Sequence, residues 1–225
     1  MLIRTAKRIA VLVVVCLGTV LVVRAWDAFR GSDALEPWHT YVPAELSAGE
    51  LDRADWDAYL RAEEAIFAAV RRDVVAKVRS ERRISINRYF DGSAVDPGRF
   101  AQDWNRSFVL EPEGAPAGAV VFLHGLTDSP YSARRTLERY RAHGFVGVAI
   151  RLPAHGTVPA ALTRVDWKDW AAATRLAVRE ARGRIEPGQP LHIIGYSCGG
   201  ARAMQYAGDA LEDASLPRPD RVVLL

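Results

Sequence analysis

The sequence has few cysteines and histidines, which bind many metal ions and, in the case of cysteine, form disulfide bonds. Its 225 residues include only two cysteines and five histidines, and no H-x-x-x-H, C-x-x-C or P-loop glycine pattern occurs. We therefore expect no metal ion, no nucleotide and no other cofactor. Cys16 lies in an apolar N-terminal run and Cys198 in the second half of the chain, so we predict no disulfide bond between them.

The excess of charge of one sign is also small. The sequence has 30 lysines and arginines against 27 aspartates and glutamates, which gives a formal net charge of +3. A cluster of basic residues between 71 and 88 does not match any nucleic-acid-binding motif. We therefore interpret it as a solvated helix face and expect no nucleic-acid partner. With 49% hydrophobic and 25% charged residues, the composition is typical of a globular chain with one sizeable core.

One long apolar run is present, and it lies near the N-terminus. Arg4, Lys7 and Arg8 precede an uncharged stretch at residues 9–23. As a helix this stretch would span about 22 Å, somewhat less than the roughly 30 Å of a bilayer's hydrocarbon core. Because the basic residues come first, we predict a membrane anchor with the following domain on the extracytoplasmic side. A signal peptide cleaved after Ala25, giving a secreted or periplasmic protein, is the alternative.

The rest of the chain divides into two parts after this membrane segment, which we place at residues 1–26. Residues 27–106 predict a linker, an amphipathic helix from Trp56 to Val78 with Glu63 and Glu64 on its polar face, and a first strand at 84–90. Residues 107–225 predict an α/β domain.

In this second part, apolar strand segments alternate with helix segments. The predicted strands are residues 107–110, 119–123, 146–150, 191–194 and 221–225, and the predicted helices are 131–143, 167–181 and a segment that follows Ser197. Alternation of this kind, with nearly continuous apolar strands, indicates a mostly parallel sheet with helices on both faces.

Residues 195–199 form a G-x-S-x-G motif between an apolar run and a helix rich in small residues. This context predicts a sharp strand-to-helix turn that exposes the Ser197 hydroxyl as a nucleophile. Gly195 and Gly199 leave room for the close approach of strand and helix. Cys198 in this position would contribute its backbone N–H rather than its thiol.

A second motif, His124-Gly125-Leu126, follows the strand at 119–123, and a third segment at 151–157 contains His155. With these motifs, the chain resembles the α/β-hydrolase superfamily, in its esterase, lipase and serine-aminopeptidase-like branch. The resemblance implies an α/β-hydrolase fold and an oxyanion hole formed by the backbone N–H groups of Leu126 and Cys198. It also implies that His124 and Gly125 support this loop and that His155 borders the substrate pocket.

All five histidines precede Ser197, whereas the family places the triad acid and histidine after the nucleophile. The resemblance therefore implies that neither is in this chain, and that the sheet is truncated after about the sixth strand. We expect a membrane-anchored, exported serine hydrolase acting on a carboxylic ester, a lipid ester or a peptide, with little turnover from these 225 residues. The alternative is a non-catalytic, membrane-tethered protein that acts only through binding.

Overall fold

The computed structural model describes the backbone of residues 2–30 and 35–225, and the side chains of residues 7–26 and 35–225. The chain forms two compact units, Met1–Glu36 and Pro37–Leu225. The first contains helix α1 (Leu2–Arg30), whose segment Lys7–Trp26 has a mean hydropathy of 2.5. Twenty helical residues span about 30 Å, which matches a hydrocarbon core. An apolar N-terminal helix is thus present, and its length and composition fit either a membrane span or a signal sequence.

The second unit contains the remaining helices and all strands of the part of the chain that the structure describes. The helices are α2 (Pro37–Thr40), α3 (Ala48–Arg53), α4 (Trp56–Asp73), α5 (Arg134–Ala142), α6 (Trp167–Gly183) and α7 (Cys198–Glu212). The strands are β1 (Phe108–Leu110), β2 (Gly118–Leu123), β3 (Phe145–Ala149), β4 (Leu191–Gly195) and β5 (Arg221–Leu224). Short 3-10 turns occur at Val75–Lys77, Ser80–Arg82, Pro97–Arg99, Pro130–Ala133 and Pro159–Thr163.

The five strands form one sheet in the order β1-β3-β2-β4-β5. Strand β1 is antiparallel to β3, and every other neighbouring pair is parallel. In the centre of the sheet Val121 lies opposite Val148 on one side and Ile193 on the other. The predicted mostly parallel sheet is confirmed, and the carboxyl ends of β2, β3, β4 and β5 all lie at one edge, where α/β proteins place their sites.

Helices cover both faces of this sheet because alternate side chains of a strand point to opposite faces. Val121 of β2 belongs to the larger core cluster, which includes residues of α3, α4, α6 and α7. Val120 and Phe122, its neighbours in the strand, belong to a second cluster with Leu137 of α5. Strand β2 is buried along its whole length, which explains its unbroken apolar sequence.

The predicted strand at 84–90 is wrong, because the structure has consecutive turns there. Asn87 N donates to Ile84 O at 3.0 Å, and Phe90 N donates to Asn87 O at 3.1 Å. The Asn87 side chain also accepts from Tyr89 N at 3.0 Å, an asparagine turn that competes with extended structure. Ile84 and Ile86 are 50% and 77% exposed, so the apolar alternation of this segment does not mark a buried face.

The predicted amphipathic helix is shorter than expected, and the placement of Glu63 on its polar face is wrong. Helix α4 ends at Asp73, and Val74 and Val78 are buried beyond it around the 3-10 turn Val75–Lys77. Glu63 is only 2% exposed. It lies on the buried stripe of α4, four residues after Tyr59 and three before Ile66.

Glu63 is buried because it pairs with Arg151, which directly follows Ile150 at the carboxyl end of β3 and is fully buried. Arg151 Nε donates to Glu63 Oε1 at 3.1 Å, while Nη1 and Nη2 donate to the two carboxylate oxygens of Glu45 at 2.9 Å each. Ser107 completes the network, since its hydroxyl donates to Glu63 at 2.8 Å and accepts from Arg151 N at 2.7 Å.

The electrostatics of this network keep the guanidinium charged. Burial alone would lower the pKa of Arg151, but the adjacent Tyr59, Glu45 and Glu63 raise that pKa above its ordinary value. Burial raises the pKa of Glu63, against the opposing effect of Arg151. The Tyr59 hydroxyl donates to Arg151 O, so α4 holds both the side chain and the backbone of Arg151. Residues 45–63 are thereby fixed to the edge of the sheet where the site lies.

Replacing Glu63 tests the contribution of this network to stability. We expect Glu63→Gln to lower the free energy of unfolding by about 3 kcal/mol, because the buried guanidinium loses one of its two carboxylates. Glu64→Gln is the matched control: Glu64 is the next residue of α4, its side chain is 68% exposed, and it pairs with Arg106 at the surface. Its loss should cost less than about 1 kcal/mol. Urea unfolding at pH 7 measures both variants, and equal costs would contradict the assignment.

Candidate active site

The turn between β4 and α7 has the strained geometry expected of a nucleophile elbow. Ser197 has φ 49° and ψ −113°, and residues that carry a Cβ rarely adopt such a positive φ. It lies two residues after Gly195, the last residue of the buried strand β4, and directly precedes Cys198, the first residue of α7. Ser197 is exposed, in contrast to the buried residues of β4.

Two glycines permit this turn, for a steric reason. A Cβ at Gly195 would lie 2.4 Å from Gly199 O, and a Cβ at Gly199 would lie 2.1 Å from Leu123 O. Real Cβ contacts are essentially never under 3.0 Å. The contacts are with backbone atoms, which cannot move aside as a flexible side chain can. Helix α7 therefore reaches both its own strand and the end of β2 only because these positions lack side chains.

The Ser197 hydroxyl is left free by the helix that it precedes. Ser197 occupies the N-cap position of α7, where serine usually bonds to the helix, yet its side chain makes no capping hydrogen bond. Its backbone is held instead, because Ser197 N donates to Leu225 O at 2.8 Å and Leu225 N donates to Gly195 O at 2.9 Å. The exposed Oγ thus stands at the N-terminus of a helix, which favours negative charge.

The loop after β2 is ordered by His124, which is fully buried. Leu152 N donates to His124 Nε2 at 3.0 Å, and Nδ1 lies 2.9 Å from Gly125 O. Since Nε2 accepts, the proton must be on Nδ1, where it is donated to the carbonyl oxygen. Burial, assisted by the neighbouring His155, lowers the pKa of His124 to about 3, so the ring is neutral at pH 7.

This loop lies against the elbow. Tyr196 N donates to Leu123 O at 3.0 Å, and a Cβ at Gly125 would lie 3.0 Å from the ring of Tyr196. Leu126 follows on the loop with a side chain that is 53% exposed. Within the part of the chain that the structure describes, the backbone N–H groups of Leu126 and Cys198 have no hydrogen-bond acceptor. Two free N–H donors therefore lie on the two segments that meet beside Ser197.

Comparison with known proteins agrees with this geometry. Residues 120–225 match the family described as the alpha/beta hydrolase family. These residues belong to the α/β-hydrolase superfamily. A thermostable monoacylglycerol lipase from Bacillus sp. (strain H-257) is 32% identical over 96 residues, which are 42% of this chain and 36% of the lipase. The chain thus spans only about a third of the length of this curated relative.

Solved structures also resemble about half of the chain. A structure from work on the metagenome-derived lipolytic enzymes LipS and LipT is 27% identical, with a TM-score of 0.47, and the match covers 54% of this chain and 45% of that one. TT1662 from Thermus thermophilus is 26% identical, with a TM-score of 0.42 and coverage of 52% and 50%. The chain therefore spans half or less of these structures.

His155, in the segment of residues 151–157 that follows β3, lies inside the protein. His155 is 2% exposed, and its ring lies 4.9 Å from that of His124 and 5.4 Å from that of Trp170, measured between centroids. Its Nδ1 lies 2.9 Å from Pro153 O, whereas its buried Nε2 has no hydrogen-bond partner in the described residues. Burial lowers the pKa of His155. The preceding Ala154 has φ 69°, a conformation that glycine adopts without strain.

The structure therefore brings together Ser197, Cys198, Gly195 and Gly199 of the elbow with the loop of His124, Gly125 and Leu126. His155 lies behind this loop, against His124. Within the described residues Ser197 Oγ makes no hydrogen bond to a histidine. Sequence reasoning missed the supporting ion network, although one signal was available: Glu63 lies on a stripe with Trp56, Tyr59, Ile66 and Val70, all of them buried.

Two glycines of α7 offer a test of the elbow geometry. We expect Gly199→Ala to destabilise the protein by more than about 4 kcal/mol, because its Cβ would overlap backbone atoms of β2. Gly208→Ala is the matched control in the same helix, where a Cβ meets nothing within 4 Å. It should stabilise the protein by about 1 kcal/mol, since alanine favours helix. Chemical denaturation measures both, and a well-tolerated Gly199→Ala would show that the close approach does not exist.

The buried neutral His124 predicts a pH dependence of stability. Below its ordinary pKa of 6.5 the unfolded chain binds a proton that the folded chain, with a pKa of about 3, does not bind. Stability should therefore fall as pH decreases, by about 2 kcal/mol between pH 7 and pH 5 from this residue alone. His124→Gln, which cannot titrate, should be less stable at pH 7 but should lose about 2 kcal/mol less over that interval. Denaturation curves at both pH values provide the comparison, and identical losses would refute the assignment.

Proposed function

We propose that this protein is a serine hydrolase of carboxylic esters, with Ser197 as its nucleophile. The observation that carries the proposal is the free, exposed hydroxyl of Ser197 on a strained elbow, beside two unengaged backbone N–H groups. Positive φ at a non-glycine residue costs free energy that the surrounding structure must offset, and such strain is concentrated at functional sites. A purely structural serine at an N-cap would instead bond to the helix.

The chemistry follows from this arrangement. Attack by Ser197 Oγ on an ester carbonyl forms a tetrahedral intermediate, whose oxyanion would accept hydrogen bonds from the N–H groups of Leu126 and Cys198. Each such donor contributes about 3–4 kcal/mol to transition-state stabilisation. Because backbone groups do this, neither side chain needs to be polar. His124 and Gly125 act as positioning residues for this loop, and His155 supports His124 from behind.

The substrate class is proposed from the relatives. The monoacylglycerol lipase named above supports an ester, and in particular a lipid ester, over a peptide. A peptide substrate remains the second candidate of the same mechanism. Full turnover also requires a base for the Ser197 proton, which in this superfamily is a histidine that follows the nucleophile. We expect residues 1–225 by themselves to be slow, and a protein that acts only by binding is the alternative.

We further propose that α1 anchors the protein in a membrane. Lys7–Trp26 has the length and hydropathy of a span, and Lys7 and Arg8 lie at its start. Basic residues before the first span favour a cytoplasmic N-terminus, so the hydrolase domain would lie on the extracytoplasmic side. A lipid ester would then be available in the same bilayer. A cleaved signal sequence would give an exported, untethered protein instead.

Replacing the nucleophile tests the proposed function. Hydrolysis of a monoacylglycerol and of a p-nitrophenyl ester is measured for the protein purified from its native membrane, so that any residues that follow Leu225 in it are retained. We expect Ser197→Ala to lower kcat by about 10⁴- to 10⁶-fold, because no other group can form the acyl-enzyme. Ser215→Ala is the control, since Ser215 lies in a surface turn and bonds to Asp213. Retained activity in Ser197→Ala would refute the nucleophile, and absence of activity in the unmodified protein would favour the binding-only alternative.

A further inference from the structure

A cleft of about 550 Å³ lies outside the elbow, between the turns of residues 88–105 and the start of α5. Its apolar walls include Val95, Phe100, Trp104 and Tyr131. Phe100 is 60% exposed and Tyr131 is 50% exposed, so large apolar side chains face this space rather than the core. Surfaces of this kind mark binding sites more often than isolated apolar residues do.

Two arginines also line this cleft, and both lack a carboxylate partner among the residues that the structure describes. Arg88 Nη2 donates to Gly156 O at 3.0 Å, and Arg134 Nη1 donates to Tyr131 O at 2.9 Å. Both acceptors are neutral carbonyl oxygens, which leave the positive charge uncompensated. Each guanidinium has five N–H donors, so most remain available to a ligand.

Aromatic rings help to fix these guanidinium groups. The Cζ atom of Arg134 lies 3.5 Å from the centroid of the Tyr131 ring, and that of Arg88 lies 5.6 Å from the centroid of the Tyr89 ring. Stacking of this kind reduces the conformational entropy that an arginine loses on binding an anion. The two charges are therefore held at the cleft before any ligand arrives.

The one acidic residue among those that line the cleft does not neutralise them. Asp103 accepts from Asn105 N at 3.0 Å and from Asn105 Nδ2 at 2.8 Å, and it forms an ion pair with Arg106 at 3.4 Å. Arg106, which is not part of the lining, balances the Asp103 charge only in part, because it also pairs with Glu64. Two arginines against one aspartate still give the lining a formal charge of +1 beside its apolar wall.

The cleft adjoins the loops of the proposed active site through Asn105. Asn105 Oδ1 accepts from the hydroxyl of Ser129, which follows the loop of His124 and Leu126, at 3.0 Å. On the other side of Asn105, its backbone O would lie 2.8 Å from a Cβ at Gly156. The backbone of residues 151–157 therefore lies close against Asn105. A ligand in the cleft would therefore lie beside Asn105, which touches both the loop after β2 and the loop after β3.

We propose that this cleft binds an anionic amphiphile, an acyl or alkyl chain that ends in a phosphate or carboxylate group. The chain would contact Phe100, Trp104 and Tyr131, and Arg88 and Arg134 would bind the anionic group. The inference deepens the proposed function by giving the lipid substrate a charged group, but binding itself does not require catalysis. Its test can therefore be separated from the test of Ser197.

The test measures binding of octyl phosphate, octanol and inorganic phosphate by calorimetry. The full chain is held in nanodiscs of uncharged phosphatidylcholine, so that no detergent competes. We expect octyl phosphate to bind at least about tenfold more tightly than octanol or phosphate alone, because only octyl phosphate uses both the apolar wall and the arginines. Arg134→Gln and Arg88→Gln should each weaken binding about tenfold, and Arg88→Lys and Arg134→Lys should restore part of it.

Arg135→Gln is the matched control. Arg135 is the next residue of α5, but it is paired with Glu138 at 3.0 Å and does not line the cleft. Binding should be unchanged in this variant and in Ser197→Ala, and the second result separates this site from the catalytic proposal. Equal affinities for octyl phosphate and octanol would overturn the inference. An Arg135→Gln effect as large as that of Arg134→Gln, in variants whose unfolding curves match the unmodified protein, would also overturn it.

A further arm distinguishes the source of the ligand. If the cleft takes its amphiphile from the bilayer, nanodiscs that contain anionic phosphatidylglycerol should weaken the apparent affinity for octyl phosphate by competition. An unchanged affinity would assign the cleft to an amphiphile from solution. Both results require the same arginines and the same apolar wall, so both support the site.

Discussion

The arrangement of the candidate site depends on the buried ion network around Arg151. Burial of a guanidinium is costly unless carboxylates and hydrogen bonds compensate it, and here Glu45 and Glu63 supply both. The residues that compensate it come from the segment before the sheet, while Arg151 itself follows β3. The network therefore requires that residues 45–63 occupy one position relative to the carboxyl edge of the sheet. Apolar packing between α4 and the sheet would also hold this segment, but it would fix the position of the segment less tightly than directional hydrogen bonds do.

This constraint reaches the loop of His124 and Leu126 through consecutive residues. Arg151 is held at its backbone oxygen by Tyr59 and at its backbone nitrogen by Ser107. The next residue, Leu152, donates its N–H to His124, and His124 in turn holds Gly125 O. The ion pairs of Glu45 and Glu63 and the loop beside Ser197 thus belong to one connected set of hydrogen bonds. The neutral ring of His124 is essential to that set, because protonation of Nε2 would remove the acceptor that Leu152 needs.

The fold could be predicted from the sequence mainly where backbone geometry demands particular residues. The spacing of Gly195 and Gly199 around Ser197 reflects contacts of 2.1–2.4 Å that any side chain would create, so the elbow is visible in the sequence itself. The strands of the parallel sheet were equally visible, because burial on both faces requires unbroken apolar runs. In contrast, the segment 84–90 has strand-like residues whose alternation is overridden by the local hydrogen bonds of Asn87. The alternation of apolar residues alone does not predict whether a turn or a strand forms in such a segment.

The ion network could not be predicted for a different reason. The sequence predicts Glu63 on the polar face because a charged side chain is usually solvated, yet its position among Tyr59, Ile66 and Val70 places it on the buried stripe of α4. A carboxylate can occupy that stripe only if a cation meets it, and the partner is 88 residues away in the sequence. The rule that charge implies exposure therefore fails where a long-range partner exists. In this protein the failure falls on the residues that set the position of the candidate site, because Glu63 pairs there with the buried Arg151.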